Sequence, residues 1–473
     1  MGSGGNARTR CYNSSLMRGI LLLLCAPALL RADTATELWV RTQVFSGHTA
    51  DLTSRSDRVL SSAFLFNLLN EKNGIDPRSG IIIVGGIVRE NLDLKRLDAT
   101  FDVALDGFEF DKTVDLWRAR FHRGLWLEND TFKGTVSAYG LAVDENLYLI
   151  ESVSESALSF DSIRVAGKLF VYGCVFQNVA SFVDASLYDL DVSHTKFNDR
   201  QNSAIFNSSK VTRLASFGDG TEFSGNANFG HFQASNFQST NVWFSGRDRT
   251  ALFDSMRITD KLTMEKGAFS GWVSLAGMTA DTISLTNVGW PGPDRTACDN
   301  MKYRVFAFNR GMETYWPAVC GYSPSVYSSI ASALAGDGRP GDASRVRVDA
   351  QWRGASGSNF AYKLVNRLFW LVAGYGERPW RAFAGIALFV VIGSLVFLEK
   401  AGMVSTNPDK PDPGYNPFWY SLGLFLPVVD IGLASSWRPK PERRYAPHYA
   451  HVHVLLGWLL VPIALASVSG FLR

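Results

Sequence analysis

Ile81/Ile83, Leu92/Leu94, Val103/Leu105, Val114/Leu116, Leu125/Leu127, Val136/Ala138, Leu147/Leu149, Leu158/Phe160 and Leu169/Val171 return an apolar pair every eleven residues. Ala180/Phe182 keeps the step, and Leu190/Val192 comes one residue early. Side chains at i and i+2 share a face only in a β-strand. A fixed repeat of such short strands marks a solenoid. Eleven residues enclose little space, so two units are expected per coil, about 22 residues, with coils stacked about 4.8 Å apart. A third apolar position follows each pair, as at Leu97, Phe108, Phe121, Phe132, Ile163 and Phe176. Gly, Asp, Asn, Ser and Lys stand between, as turn and surface residues do.

The spacing drifts over 198–250, where Phe206, Phe217, Phe223, Phe229, Phe232, Phe237 and Phe244 recur irregularly. Strict steps return at Leu262/Met264, Val273/Leu275 and Ile283/Leu285. The solenoid is therefore placed at 81–288, about nine coils, and its irregular part is expected to carry binding loops. A solenoid's open first coil needs a cover. Residues 33–80 are assigned that role through an amphipathic helix at 57–72.

Hydrophobic content of 46% and a net charge of only +3 in 473 residues argue against disorder and against nucleic acid as a partner. Arg8, Arg10 and Arg18 precede the apolar run Ile20–Leu30, so residues 1–32 read as a signal peptide. Cys11 and Cys25 fall in this leader. Of the remaining cysteines, Cys298 and Cys320 either form a disulfide, if exported, or stay free beside Cys174. No cofactor motif and no metal-ligand spacing is present.

Trp290-Pro-Gly-Pro293 stops the repeats. Residues 289–355 read as a linker and a helical hairpin, resembling a single tetratricopeptide unit and expected to pack on the solenoid end. Residues 356–379 read as an interfacial helix. Within 380–473, Ala382–Leu398 and Val454–Leu472 are uncharged and long enough to span a bilayer. Phe418–Leu433, interrupted by Pro427 and Asp430, is too short to span and reads as re-entrant. Asp430 is a candidate membrane-embedded or pore residue, with Pro427 beside it. His448, His451 and His453 form a candidate interface cluster.

Units such as Phe223-Ser-Gly-Asn-Ala-Asn-Phe229 and Leu275-Ala-Gly-Met278 resemble degenerate pentapeptide repeats, and that resemblance implies a right-handed parallel β-helix. Gly374-Tyr-Gly-Glu-Arg-Pro-Trp-Arg381, Tyr415-Asn-Pro-Phe-Trp-Tyr-Ser-Leu-Gly-Leu-Phe-Leu-Pro-Val-Val-Asp430 and Leu456-Gly-Trp458 through Gly470 resemble bacterial membrane-anchored pentapeptide-repeat-like proteins with a two-span, channel-like C-terminal region. Gly423 stands where that family commonly has an acid, and no Thr-Val-Gly-Tyr-Gly filter is present. The expectation is a non-enzymatic scaffold or binding protein of the bacterial inner membrane, multi-pass, with its solenoid in the periplasm. Its expected partners are the lipid bilayer, a second copy of itself, and an envelope protein or glycan. The alternatives are an oligomeric two-span ion channel gated by the solenoid, and a glycan-active β-helix enzyme. The enzyme would draw a carboxylate pair from Asp102, Asp106, Asp111, Asp115, Asp144, Asp161, Asp184, Asp189 and Asp191.

Overall fold

The computed structural model describes residues 33–307, 315–406, 414–426, 432–443 and 445–469. Its centre is a parallel β-solenoid of about ten turns, with about 22 residues per turn. Successive apolar pairs lie on different sheets. Ile81–Val84, Val103–Asp106, Leu125–Glu128 and Leu147–Ile150 stack in register on one sheet. Leu92–Asp93, Val114–Asp115, Val136–Ser137 and Leu158–Ser159 stack on another. A third sheet carries Ile87–Val88, Glu109–Phe110 and their successors. Both residues of each pair point inward, and Ile81, Ile83, Leu92 and Leu94 are all 2% exposed or less.

Two corners of every coil require a left-handed backbone. One column of corners holds Gly85, Gly107, Asn129, Glu151, Gly173, His194, Gly220, Asn241, Lys266 and Asn287. The other holds Arg96, Arg118, Gly140, Ser162, Asp184, Ser208, His231, Ser255, Gly277 and Asn300. Their φ angles lie between 47° and 76°. Glycine and asparagine accept this conformation readily, whereas other residues pay about 1–2 kcal/mol each. His194 and His231, isolated in the sequence, are corner residues.

The irregular stretch 198–250 keeps its strands on the three sheets and lengthens the turns between them. Coil length varies there: Phe197 pairs with Phe223, 26 residues on, and Phe223 with Phe244, 21 residues on. The phenylalanines all face the core. One stack runs Phe176, Phe197, Phe223, Phe244, Phe269 and Trp290, with neighbouring centroids 4.6–5.2 Å apart. A second runs Phe160, Phe182, Phe206, Phe229 and Phe253 at 4.9–5.7 Å. The stacks meet edge-on, as at Phe197–Phe206 and Phe223–Phe229. Offset and edge-on ring pairs each contribute about 0.5–1.5 kcal/mol beyond burial. The irregularity is a change of turn length around an unbroken aromatic core. Irregular turns at 198–203 and 245–249 are longer than the equivalent turn at 177–179, and Arg200, Gln201 and Asn202 are exposed on the first.

The N-terminal cover contains two helices, α1 (Ala35–Phe45) and α2 (Ser62–Leu69), rather than one helix over 57–72. Thr34 and Glu37 form a capping box for α1, and Glu37 Oε1 also accepts from the Ser61 N–H at 2.8 Å. Ala50–Asp51 pairs with Ile83–Val84 and Val59 bridges Ile87, so this segment is an incomplete coil laid over the first full one. At the other end the solenoid passes residue 288. Thr296–Ala297 and Lys302–Ala307 add strands to two sheets. Cys298 in this last coil is disulfide-bonded to Cys320 at the end of α3 (Tyr315–Cys320), with Cα atoms 5.8 Å apart. The expected hairpin is α4 (Pro324–Gly336) and α5 (Pro340–Gly354). It covers the solenoid end, where Ser329 Oγ donates to the Met301 carbonyl at 2.6 Å. The remaining helices are α6 (Phe360–Ala373), α7 (Trp380–Val396), α8 (Pro417–Phe425), α9 (Leu433–Ser436) and α10 (Ala446–Val468). Met403–Ser405 and Trp437–Pro439 form an antiparallel pair between them, which the sequence patterns did not indicate.

The corners supply a test. Gly173→Val introduces a branched side chain at φ 66° and is expected to cost about 1–2 kcal/mol or more. Lys266→Gly, at φ 53°, is expected to leave stability unchanged or raised. Chemical denaturation midpoints of the two variants should move apart in these directions.

Candidate functional site

The outward side chains of the first sheet form a localised aromatic track. Trp126, Tyr148 and Phe170 are register partners on consecutive coils. The Trp126 and Tyr148 rings stack at 5.0 Å with 12° between planes, and Phe170 meets Tyr148 edge-on at 6.1 Å. Tyr172, two residues along, stacks on Phe170 at 5.9 Å and reaches the His194 ring at 5.2 Å. All four aromatic side chains of the track are half-buried. The indole of Trp126 lies over Gly124, where any Cβ would collide with it. A signal for this track exists in the sequence: Trp126, Tyr148 and Phe170 are 22 apart and sit between the two members of inward pairs. Reading the pairs alone passes over them.

Polar groups flank the track in register. On one side Asp102 Oδ1 accepts from the Gly124 N–H at 2.9 Å, and Asn146 Nδ2 donates to Tyr148 Oη at 3.1 Å. On the other side Glu128 is the register partner of Asp106, which accepts from Asn129 Nδ2 at 2.9 Å. Partial burial raises the Glu128 carboxyl above the usual range, and the neighbouring Asp106 and Glu151 add to the effect. The cations nearby are engaged. Arg123 lies 3.6 Å from both Asp102 and Glu145, and Lys168 lies 3.4 Å from Asp191.

Most of the acids singled out in the sequence are partners across coils. Asp111 pairs with Lys133, Asp115 with Lys95, and Asp189 with Arg213. Asp161 accepts from Ser181 and from the Val183 N–H. Asp184 is a corner residue. Asp144 belongs to a cluster on three successive coils that sequence reasoning missed. His122 Nε2 is 2.8 Å from Asp98 Oδ1, and its Nδ1 is 3.1 Å from Asp144 Oδ2. Lys72 also contacts Asp98, and Arg120 contacts Asp144. The hydrogen bond from Lys72, then that from His122, holds the Asp98 carboxyl below its ordinary value. This cluster is open to water and ties coils together. Among the described residues no group of three or more His, Cys, Asp or Glu is placed to hold a metal ion.

Inside the solenoid a polar column follows one corner. Ser152 Oγ donates to the Ile150 carbonyl, Cys174 Sγ to Tyr172 and Thr195 Oγ1 to Ser193. Each spans the left-handed corner with a bond two residues back. Asp130 occupies the same position one coil earlier. Its Oδ1 accepts from the Phe108 N–H at 2.7 Å, while Oδ2 has no partner among the described residues. Burial pushes the Asp130 carboxyl well above the ordinary aspartate range, as expected for an acid removed from water. Burial likewise pushes the Cys174 thiol up to about 12, so it is no nucleophile at neutral pH.

The Gly374–Arg381 motif knots the helical end together. Arg347 of α5 binds Glu377 through two bonds, at 2.5 and 3.1 Å. Asn366 of α6 donates to Tyr375 Oη at 2.8 Å, and Tyr375 itself has φ 59°. Arg381 donates to the Trp370 carbonyl and lies over its ring at 5.1 Å. A cleft of about 270 Å³ opens here, lined by Tyr322, Tyr327, Arg347, Gln351, Tyr375 and Glu377 among others.

Among the described residues α10 is the helix long and apolar enough to cross a membrane. Helices α6 and α7 satisfy that test only together, and a 116° bend separates them. The described residues thus hold one candidate apolar helix, or two if the bent pair is counted as one span. Pro427 and Asp430 lie outside the described residues, as do 1–32. The three histidines do not share one site. His448 and His451 are exposed, whereas His453 is fully buried, its Nε2 3.2 Å from Ser421 Oγ and 3.1 Å from the Ser421 carbonyl. On a helix, positions 448, 451 and 453 cannot all face one neighbour. The buried stripe of α10 is Ala446, His453, Gly457, Leu460, Ala464 and Ser467.

No family model, curated protein or solved structure matches the chain.

The buried acid predicts a pH dependence. The folded pKa of Asp130 is raised, so the folded state holds its proton more tightly than the unfolded state. Its contribution is fully present below the unfolded value of about 3.9 and is lost as pH rises through the folded value. Asp130→Asn retains an acceptor for the Phe108 N–H and supplies a donor without charge. Melting temperatures recorded against pH should show the variant gaining on the parent protein as pH rises.

Proposed function

We propose that this chain is an envelope-facing β-solenoid, held at a lipid bilayer by its C-terminal helices and serving as a scaffold or binding surface. The observation that carries this reading is the apolar exterior of the helical end. Leu455, Trp458, Leu459, Leu465 and Val468 of α10 are all at least 57% exposed. On α6 Phe360, Val365 and Leu371 are at least 61% exposed. Exposed apolar area on this scale marks a surface made for lipid or another protein, and the mean hydropathy of 1.9 for α10 favours lipid.

In this reading residues 1–32 direct export, α6 lies in the interface, α7 and α10 are the two spans, and α8 enters from one side. The solenoid is right-handed and periplasmic, residues 399–451 are cytoplasmic, and the chain stands with the bacterial inner-membrane pentapeptide-repeat-like proteins that its three motifs resemble. No observation on the described residues favours the pore reading.

Two measurements test it. The native chain should stay in the membrane pellet after alkaline carbonate extraction, and the double variant Leu455→Lys/Leu459→Lys should be released, because each lysine near a helix centre costs about 2.5–3.5 kcal/mol to insert. Release of the native chain sinks the proposal. Reporter fusions should place the C-terminus outside and the 399–451 segment inside, and the opposite result inverts the orientation.

A further inference from the structure

We propose that the outward track Trp126–Tyr148–Phe170–Tyr172 is a binding site for an uncharged glycan chain lying along the solenoid axis. The inference names the partner for the binding-surface reading above. It does not depend on membrane attachment.

The fold does not require these rings. In the same column the preceding coil has Ala104, and the later coils have Asp191, Ser216, Gln238, Thr263 and Ser284. Those coils stack equally well with small or polar side chains. Inward phenylalanines build the core, whereas these four rings add apolar area to the outside of one region only.

The chemistry of the surroundings selects the occupant. The rings lie on a sheet face, where the backbone donors and acceptors are already spent on neighbouring coils. A peptide strand would therefore find no edge to extend. Aromatic tracks also bind single-stranded nucleic acid, but such sites need a cationic groove. Here Arg123 and Lys168 are paired with carboxylates, while Asp106 and Glu128 stand beside the rings with no cation bound to them among the described ion pairs. That field repels a polyanion. A neutral sugar chain meets both conditions. The faces of Trp126 and Tyr148 stack on each other, as do those of Phe170 and Tyr172, and Lys168 Nζ lies 5.8 Å from the centre of the Phe170 ring. The sugar C–H groups therefore pack against the solvent-facing parts of the stacked rings, and the rim hydroxyls reach acceptors and donors such as Asp102, Asn146, Asp106 and Glu128. An extended β-linked chain also advances by about one sugar per strand spacing, so rings on consecutive coils meet consecutive residues of the chain.

The simpler role for these rings is cross-strand stabilisation, about 0.2–1 kcal/mol per pair. Binding and stability measured side by side separate the two. The full chain, in a detergent without a sugar headgroup, is titrated calorimetrically with cellohexaose, chitohexaose and a polyuronate hexamer. At least one neutral hexasaccharide should bind, and the polyuronate should bind more weakly. Trp126→Ala should weaken binding about tenfold or more. Trp243→Ala, on another sheet, should not. Should Trp126→Ala fail to fold, Tyr148→Ser carries the test, because later coils already hold serine in this column. No binding of either neutral hexasaccharide, equal binding by the track variants, or tighter binding of the polyuronate overturns the proposal. Failure of the membrane test would leave these titrations unaffected, so the two proposals fall separately.

Discussion

A parallel strand can satisfy its backbone only with another strand in the same register, and here that strand is the chain's own next coil. Ile81–Val84 finds Val103–Asp106, which finds Leu125–Glu128, and so on to Lys302–Ala307. Register then forces like positions to stack. Inside, phenylalanine lies on phenylalanine. At one corner a serine, a cysteine and a threonine follow one another, each donating to the carbonyl two residues back. Outside, acids and bases meet across coils, as in Asp98, His122 and Asp144. The same requirement leaves the first and last coils without partners, and so demands covers. The α1–α2 segment supplies one, and the α3–α4 segment, tied by Cys298–Cys320, supplies the other.

Corners set the cost of this arrangement. Two left-handed residues per coil are tolerable because many are Gly or Asn, and the rest are held by the hydrogen bonds of adjacent strands. The stacking of rings and aliphatic side chains offsets the remainder. Where coil length wanders, at 198–250, the core is richest in phenylalanine. Flat rings adapt to changes in turn length because a stack needs only a common plane and spacing, whereas interlocked branched side chains need a fixed pattern of neighbours.

How much of this was legible in the residues alone follows from what periodicity records. An inward pair such as Leu147/Leu149 leaves an i, i+2 signature, so the solenoid and its coil size of about 22 were readable. The hairpin at 324–354 was readable from its helical stripes and the Gly336–Pro340 break. Helix α1 was not, because Ala35–Phe45 mixes Glu37, Arg41 and Gln43 with its apolar residues and buries only part of one face. The aromatic track went unread because outward positions carry no hydrophobic period of their own. Three of its four rings, Trp126, Tyr148 and Phe170, look like isolated aromatics until the 22-residue register is imposed. The His122 cluster was hidden for the same reason: Asp98, His122 and Asp144 are 24 and 22 residues apart and meet only once the coils stack. The histidines at 448, 451 and 453 misled by closeness in sequence, since a helix sends them to different faces.

A solenoid separates the residues that make the fold from those free to serve another purpose. Inward positions are constrained by the coils above and below, while outward positions on the same strands are constrained only by their lateral neighbours. Any clustering on the outside that the stack does not need is thus a better pointer to function than the conspicuous inner repeat. By that criterion Trp126, Tyr148, Phe170 and Tyr172 rank above the many cross-coil ion pairs, which repeat along the rod and are adequately explained as ties between coils. The clamp at the C-terminal end adds to the argument. Cys298–Cys320, the packing of α4 on the last strand, and the Arg347–Glu377 pair join the rod to the helices by contacts rather than by a free tether. A surface on a rod clamped in this way would be presented at a set angle and height from whatever holds the helices, which is the geometry that a scaffold for an extended ligand needs.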